Sequence, residues 1–454
     1  MRRSTRLTAA LVGAVLTGLS CNAWAETLKE ALGEAYLTNP DLEAARARLR
    51  ATDEQIPQAT AGWRPRVFVD GVLEEEAGQI RRQDENKLRS ANRSTQSAAL
   101  TLQQNLYAGG QTVAQTARAH NLVRADRANL IAQEQSVLLD AVDAYTATAR
   151  DQRVLDLALN NEQRLQRQLE ATKDRFDVGE VARTDVAQAE ARLARARADV
   201  ETAKADLASS RAFYRRVIGK DAAKLEIPTT LKDLPKTLDD ALAVAAANPE
   251  ITAANYTLFA AKDDVDVAFA DLLPSVDLQA SLRDAVDPSA TVNRNRTATI
   301  GVQVSIPLYQ GGGEYARVRQ NRQVVRQRRE QLESSYRQVQ QLVESNWERL
   351  LAATAAIESF NSEVEANGIA LEGVQQEALV GSRTVLDVLD AEQELFTSQV
   401  NLVRARREEV LASYQLKAAV GELTVADLGV QVEPYNPDIY YENNRRRLFG
   451  IAID

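Results

Sequence analysis

Two periodicities alternate along this chain. Val318, Val325, Leu332 and Val339 recur every seven residues, and so do Val343, Leu350, Ile357, Val364, Leu371 and Ala378. The spacing predicts one helix from about Gly313 to Val380. The two trains are offset by four residues at Val339–Val343, a stutter that locally unwinds a coiled coil. An ordinary intramolecular coiled coil would show the same pattern. Shorter stretches have period two. Val67, Val69, Gly71 and Leu73 alternate with Phe68, Asp70 and Val72, and Val276, Leu278, Ala280 and Leu282 do likewise. Ile300, Val302, Val304, Ile306 and Leu308 alternate cleanly, and Leu100, Leu102 and Leu106 keep the same parity with Gln104 as the exception. These read as strands of about ten residues with one apolar face, long enough to cross an outer membrane at a tilt.

The chain reads as one unit written twice. Residues 106–219 answer residues 308–421 at a constant offset of 202, with no insertion. Leu106–Gly110 matches Leu308–Gly312, Val178-Gly179 matches Val380-Gly381, and Val217–Gly219 matches Ala419–Gly421. Upstream, Thr27–Leu32 through Asn39-Pro40 resembles Thr237–Leu242 through Asn248-Pro249, each opening a helix that ends near Pro65 or Pro274. Polar loops are expected over 74–93 and 283–296. Each half thus predicts helix, strand, polar loop, strand, Gly-Gly turn, long helix, tight turn, long helix. The expected domains are a first repeat over 26–235, a second over 236–430, and a tail over 431–454 packed on the outside of the rods.

Composition narrows the class. Arg2, Arg3 and Arg6, the apolar stretch Leu7–Leu19 and Ala23-Trp24-Ala25 predict a signal peptide over 1–25. Cys21 follows Gly18-Leu19-Ser20, a poor lipobox, so cleavage after Ala25 is the expectation and the mature chain then lacks cysteine. Net charge moves from −9 to −12 as the three arginines leave, which disfavours nucleic acid as a partner. No later apolar run reaches about 18 residues, so any membrane crossing must use strands. Four strands cannot close a barrel alone, and lipid does not tolerate an open sheet edge. Oligomerisation is therefore expected, with eight strands from two copies or twelve from three.

In this layout the chain resembles the TolC family of outer-membrane channels over about residues 27–430. The resemblance rests on Val380–Ala391, on Arg175–Gly179 with Thr184-Asp185-Val186, and on Leu308–Gly312. It implies a homotrimer: a twelve-stranded barrel in the outer membrane, continuous with a hollow helical barrel in the periplasm. It also implies a periplasmic adaptor and an inner-membrane pump or ABC transporter docked at the far end, where the helical turns close like an iris. The resulting expectation is a passive, gated exit duct for efflux or type I secretion, embedded in outer-membrane lipid and needing no cofactor.

Individual side chains matter most at the turns. Asp387 and Asp390 share a helix face, and three copies would ring a narrow mouth with carboxylates that favour cations. A second reading makes Asp387 the N3 residue of a helix capped by Thr384, and Asp185 beside Thr184 admits the same. Arg383 stands at the family position that links neighbouring turns in the closed state. The family's gate tyrosine aligns with Ala378, so the resemblance implies a closed state held differently here, with Phe176 or Arg183 as the open alternatives. Gly179 and Gly381 suit the hairpin turns, and Gly109-Gly110 and Gly311-Gly312 suit the strand-to-helix bends. An enzyme is disfavoured, because His120 is the only histidine, stands alone on a helix, and suggests no metal site. A periplasmic coiled-coil adaptor is the competing class, but it would carry one hairpin between β-rich domains, not two hairpins with two isolated strand pairs.

Overall fold

A computed structural model describes residues 27–80, 89–289 and 292–451. The expected signal peptide, with Cys21, lies outside the described residues. The chain is mostly helical, with one four-stranded antiparallel sheet in the order β1-β2-β3-β4. The strands are β1 (Arg66–Ile80), β2 (Arg89–Ala108), β3 (Ser275–Ser289) and β4 (Val292–Ser305). Helices α4 (Gln111–Asp177) and α8 (Gly313–Leu379) have 67 residues each and begin 202 positions apart. At ~1.5 Å per residue each is a rod of about 100 Å. Helices α5 (Arg183–Ile218) and α9 (Val385–Ala419) return antiparallel to them. All ten heptad positions of α8 named above are buried or half-buried.

The strand register sorts the side chains onto two faces. Val69, Leu100, Leu282 and Ala298 align in one row across the sheet, and Val67, Leu102, Ala280 and Ile300 in the next. On the opposite face Phe68, Thr101, Ser281 and Thr299 align. The apolar rows are uncovered: Val69 is 72% and Ile300 76% exposed. Ile306 and Leu308 continue the parity beyond β4. Within β4 the apolar run from Ala298 to Val304 measures about 20 Å along the strand. The row Gly71, Ala98, Asp284, Arg296 ends it.

Three expectations need correction. Most of the segments read as polar loops, 74–93 and 283–296, is strand, so the strands run 14 to 20 residues and not about ten. Loss of apolar alternation marks the end of the lipid-facing band, whereas the backbone ladder continues. Charge pairs replace apolar contacts there: Arg93 with Glu76, and Arg294 and Arg296 with Asp284 (2.5 and 3.2 Å). The clean alternation through Leu308 also overshoots, since β4 ends at Ser305. Finally, each helix ahead of the strands is broken. Helix α1 (Leu28–Thr38) stops before α2 (Pro40–Asp53), and α6 (Leu238–Ala245) before α7 (Pro249–Ala270), because proline donates no N–H to continue the preceding helix. A six-residue α3 (Gln55–Thr60) then leads toward β1.

The break is a joint. Asn39 accepts from Asp41 N (2.9 Å), capping α2, and its Nδ2 donates to Val217 O (3.1 Å) at the end of α5. Asn248 repeats both contacts, with Glu250 N (2.8 Å) and Ala419 O (2.9 Å). Both asparagines are buried. Gly421, at φ +92°, leaves room for the approach: a Cβ there would lie 3.0 Å from Asn248 Cα. The largest core cluster surrounds the first joint, joining Leu32 and Leu42 to Leu138 and Val142 of α4, Tyr214 and Ile218 of α5, and Val410 of α9.

The ends of the layer differ. Helix α4 packs against α2, α5, α7 and α9, and buries 21 residues. Helix α8, of equal length, buries six. The tail folds back onto the first half. Tyr36 Oη accepts from Tyr435 N (2.8 Å), Tyr440 Oη donates to Glu54 (2.9 Å), and Arg127 pairs with Asp438 of α10 (Pro437–Asn444) at 2.7 Å.

Replacing Asn248 with alanine removes a cap and strands a buried carbonyl, and should cost about 2–4 kcal/mol. Asn436→Ala, which removes only the α10 cap, should cost about 1 kcal/mol. Chemical denaturation of the two variants checks the difference, and equal losses would show that the joint bears no special load.

Candidate functional site: the helical turns

The turns between α4 and α5 and between α8 and α9 share one backbone. Glu180 N donates to Arg175 O (2.8 Å) and Gly179 N to Phe176 O (2.9 Å). Ser382 N donates to Glu377 O (3.0 Å) and Gly381 N to Ala378 O (3.2 Å) in the same pattern. This closure needs a left-handed residue after the helix, and Gly179 (φ +82°) and Gly381 (φ +80°) supply it. The bends at the other end of the rods are built alike. Gly109 and Gly311 have positive φ, and Gly110 (φ +86°) and Gly312 (φ +85°) are the N-caps of α4 and α8.

Each return helix starts on an aspartate. Thr384 is the N-cap of α9: its hydroxyl accepts from Asp387 N (3.2 Å), and Asp387 Oδ2 accepts from Thr384 N (2.9 Å) and Oγ1 (2.8 Å). On α5 the capping residue is Ala182, not Thr184, and Asp185 alone reaches back, accepting from Ala182 N (3.0 Å). The Thr384 backbone N–H, then its hydroxyl, with Arg383 adding to them, hold the Asp387 carboxyl below the usual carboxylate range. The cap's contribution is therefore present above the ordinary aspartate pKa and is lost as pH falls through the lowered one.

The charges of the two turns are reversed. Arg175 pairs forward with Glu180 (3.2 Å), whereas Arg383 pairs back to Glu377 (2.9 Å), which occupies the position equivalent to Arg175. Within one chain Arg383 thus binds its own turn. Asp390 pairs with Arg192 of α5, which ties the second hairpin to the first. Asp387 and Asp390 lie three residues apart, yet one closes a cap and the other a bridge.

An apolar seat reinforces that bridge. Val385 and Leu389 of α9 pack with Leu165 and Leu169 of α4 and with Ala189, Leu193 and Ala196 of α5. Beside it stands Glu392, 4% exposed and missed by the sequence reading. Burial pushes its carboxyl pKa up, opposed by Arg164 and Arg167 of α4. A sign of it was present, since Glu392 falls four residues after Val388 and three after Leu389, on an otherwise apolar face. Outward, Val178, Leu379 and Val380 are each more than 70% exposed at the turn tips. His120 lies on α4, and no cluster of three metal-ligating side chains occurs among the described residues.

If the two aspartates form a selectivity ring, Asp387→Ala combined with Asp390→Ala abolishes block by multivalent cations in planar bilayers. Thr384→Ala alone should lower stability by about 1 kcal/mol with block intact. Block that survives the double substitution leaves both residues as structural groups.

These elements match known proteins over almost the whole chain. The model of the "Outer membrane efflux protein" family matches residues 31–220 and 242–422. Outer membrane efflux protein BepC of Brucella suis is 36% identical over 443 residues, covering 97% of this chain and 95% of that protein. Outer membrane protein TolC of Escherichia coli is 28% identical over 435 residues, 92% of this chain and 87% of TolC. The crystal structure of VceC from Vibrio cholerae superposes with a TM-score of 0.76 at 20% identity, covering 87% of this chain and 96% of that one. With its sheet, its two long hairpins and this match, the chain belongs to the outer membrane efflux protein family and is an outer-membrane exit duct.

Proposed function

We propose that three copies form one closed tube, a twelve-stranded barrel above a ring of helices, assembled from a tandemly duplicated unit. The observation that carries this reading is the unfinished edge. Strands β1 and β4 each have one neighbour, and lipid offers their outer N–H and C=O groups no partner. Below the sheet the same edge continues on α8. Ala316, Gln320, Gln323, Gln327 and Glu330 form an exposed stripe. The equivalent residues of α4, from Ala114 to Ala128, are buried or half-buried. There Arg118 pairs with Asp264 of α7 (2.6 Å) and Asn121 donates to Asp263 (2.7 Å). The α4–α7 junction is the template for α8 against α2 of the next copy. Three copies rather than two is what the family resemblance implies.

The turns are proposed as the gate, with Arg383, Asp387, Asp390 and Asp185 around its mouth. Their apolar tips, Val178, Leu379 and Val380, fit a periplasmic adaptor that hands over cargo from an inner-membrane pump or ABC transporter. Ala378 leaves no phenol to lock the turns, so the Asp390–Arg192 bridge and the Leu389 seat hold the second hairpin against the first. A periplasmic adaptor is no longer a competing reading, given the family match.

Native mass measurement of detergent-solubilised protein should give a trimer, and a stable monomer in outer-membrane fractions would contradict the tube. Cysteines at Asn92 and Asn293, both at the sheet end far from the helices, should be labelled from outside intact cells. Labelling only after permeabilisation would invert the topology. Arg383→Ser removes the turn's charged donor and should raise single-channel conductance, and unchanged conductance in an assembled trimer would place the gate elsewhere.

A further inference from the structure

The tail occupies one copy of a site that the duplication made twice. Its seat is formed by Ile56 of α3 and Ala119 and Val123 of α4, against which Tyr441 packs. Arg127 pairs with Asp438 at 2.7 Å and lies 5.9 Å from the Tyr441 ring. The second half carries the same framework except at Ala119, whose counterpart Asn321 donates to Asp264 O (2.9 Å) and ties α8 to α7. Val123 and Arg127 correspond at the 202 offset to Val325 and Arg329, and Arg124 corresponds to Arg326. Ile56 corresponds to Val265 at an offset of 209, which is fixed on both sides by Asn39-Pro40 with Asn248-Pro249 and by Pro65 with Pro274.

This twin seat is open. Val265 and Val325 are half-buried where Ile56 and Val123 are buried, and Arg326 and Arg329 are exposed. Among the described residues no carboxylate pairs with either arginine. Phe269, one turn beyond Val265 on the same face, is 47% exposed. Lys262 stands where the first half has the buried Asp53, and the exposed Asp266 where it has Pro57, so the basic character of the site comes from Arg326, Arg329 and Lys262. The segment directly after α10, Arg445-Arg446-Arg447, is basic and does not complement these arginines.

We propose that the outer groove between α7 and α8 docks an acidic, tyrosine-bearing segment of a partner protein, in the manner in which Asp438 and Tyr441 dock on the first half. The inference rests on the tube reading in one respect: the face that carries the tail must be the outside of the ring. Charge complementarity and an apolar slot for one ring set the chemistry of the occupant.

The probe is a synthetic peptide with the sequence of Tyr435–Asn444, carrying a photoreactive side chain at the position of Ile439. It is added to the detergent-solubilised trimer, whose native mass and conductance are recorded on the same preparation. Cross-links should map to 262–269 and 322–329. Affinity should fall at least tenfold in the Arg326→Glu, Arg329→Glu double variant, and it should weaken with added salt. An assembled, conducting trimer that gives no cross-link, or cross-links only along 119–127 by exchange with the bound tail, overturns the inference and leaves the tube intact. Binding that ignores the double charge reversal also overturns it, as does capture of phosphatidylglycerol vesicles by those arginines without the peptide. A monomer in the mass measurement instead contradicts the tube.

Discussion

Inside hydrocarbon, a backbone N–H or C=O without a partner costs several kcal/mol, and a four-stranded sheet leaves two rows of them. The chain solves half of this problem internally. Strand β2 pairs with β3, so the two strand pairs form one sheet and not two hairpins. In the proposed tube the other half is passed to a neighbouring copy. The helical layer inherits the same geometry, because each long helix continues directly from a strand through a Gly-Gly bend. Position in the layer, rather than composition, decides how much of a rod is buried. That is why α4 and α8, equal in length, differ so widely in burial.

Rods of 67 residues need bracing between their ends, and the asparagine joints provide it. One side chain caps the start of a helix with its oxygen and donates its amide N–H to a carbonyl at the end of another, so each return helix is anchored beside a core cluster. At the far end the bracing is lighter. The second hairpin is held to the first by a small apolar seat, the Asp390–Arg192 bridge and a buried carboxylate, with the turn tips left in solvent. Strong fixation at mid-height and weak fixation at the tip is the arrangement a gate at the turns requires.

Period and punctuation were legible in the sequence. The heptads of α8, the alternation at Val67–Leu73 and Val276–Leu282, and the glycine turns appear where the pattern places them. The strand ends were not legible, because alternation reports the lipid face and says nothing of the ladder above it, where Glu76, Asp284 and Arg294 take over. Asn39 and Asn248 were visible only as repeat markers, since their partners lie 178 and 171 residues away. Around Asp387 and Asp390, spacing alone gave one shared face. The division into a cap and a bridge depends on Arg192, nearly two hundred residues earlier in the chain. Glu392 and the twin tail seat required the packing of separate elements to be seen.

The central claim is that the sheet edges are closed by other copies. Residue-resolved amide exchange on the detergent-solubilised assembly tests it most directly. The account predicts that the outward amides of β1 and β4 between the apolar rows are protected as strongly as those of β2 and β3. Rapid exchange confined to one edge of β1 and one edge of β4, with β2 and β3 protected, would mean that the sheet stays open and would contradict the account.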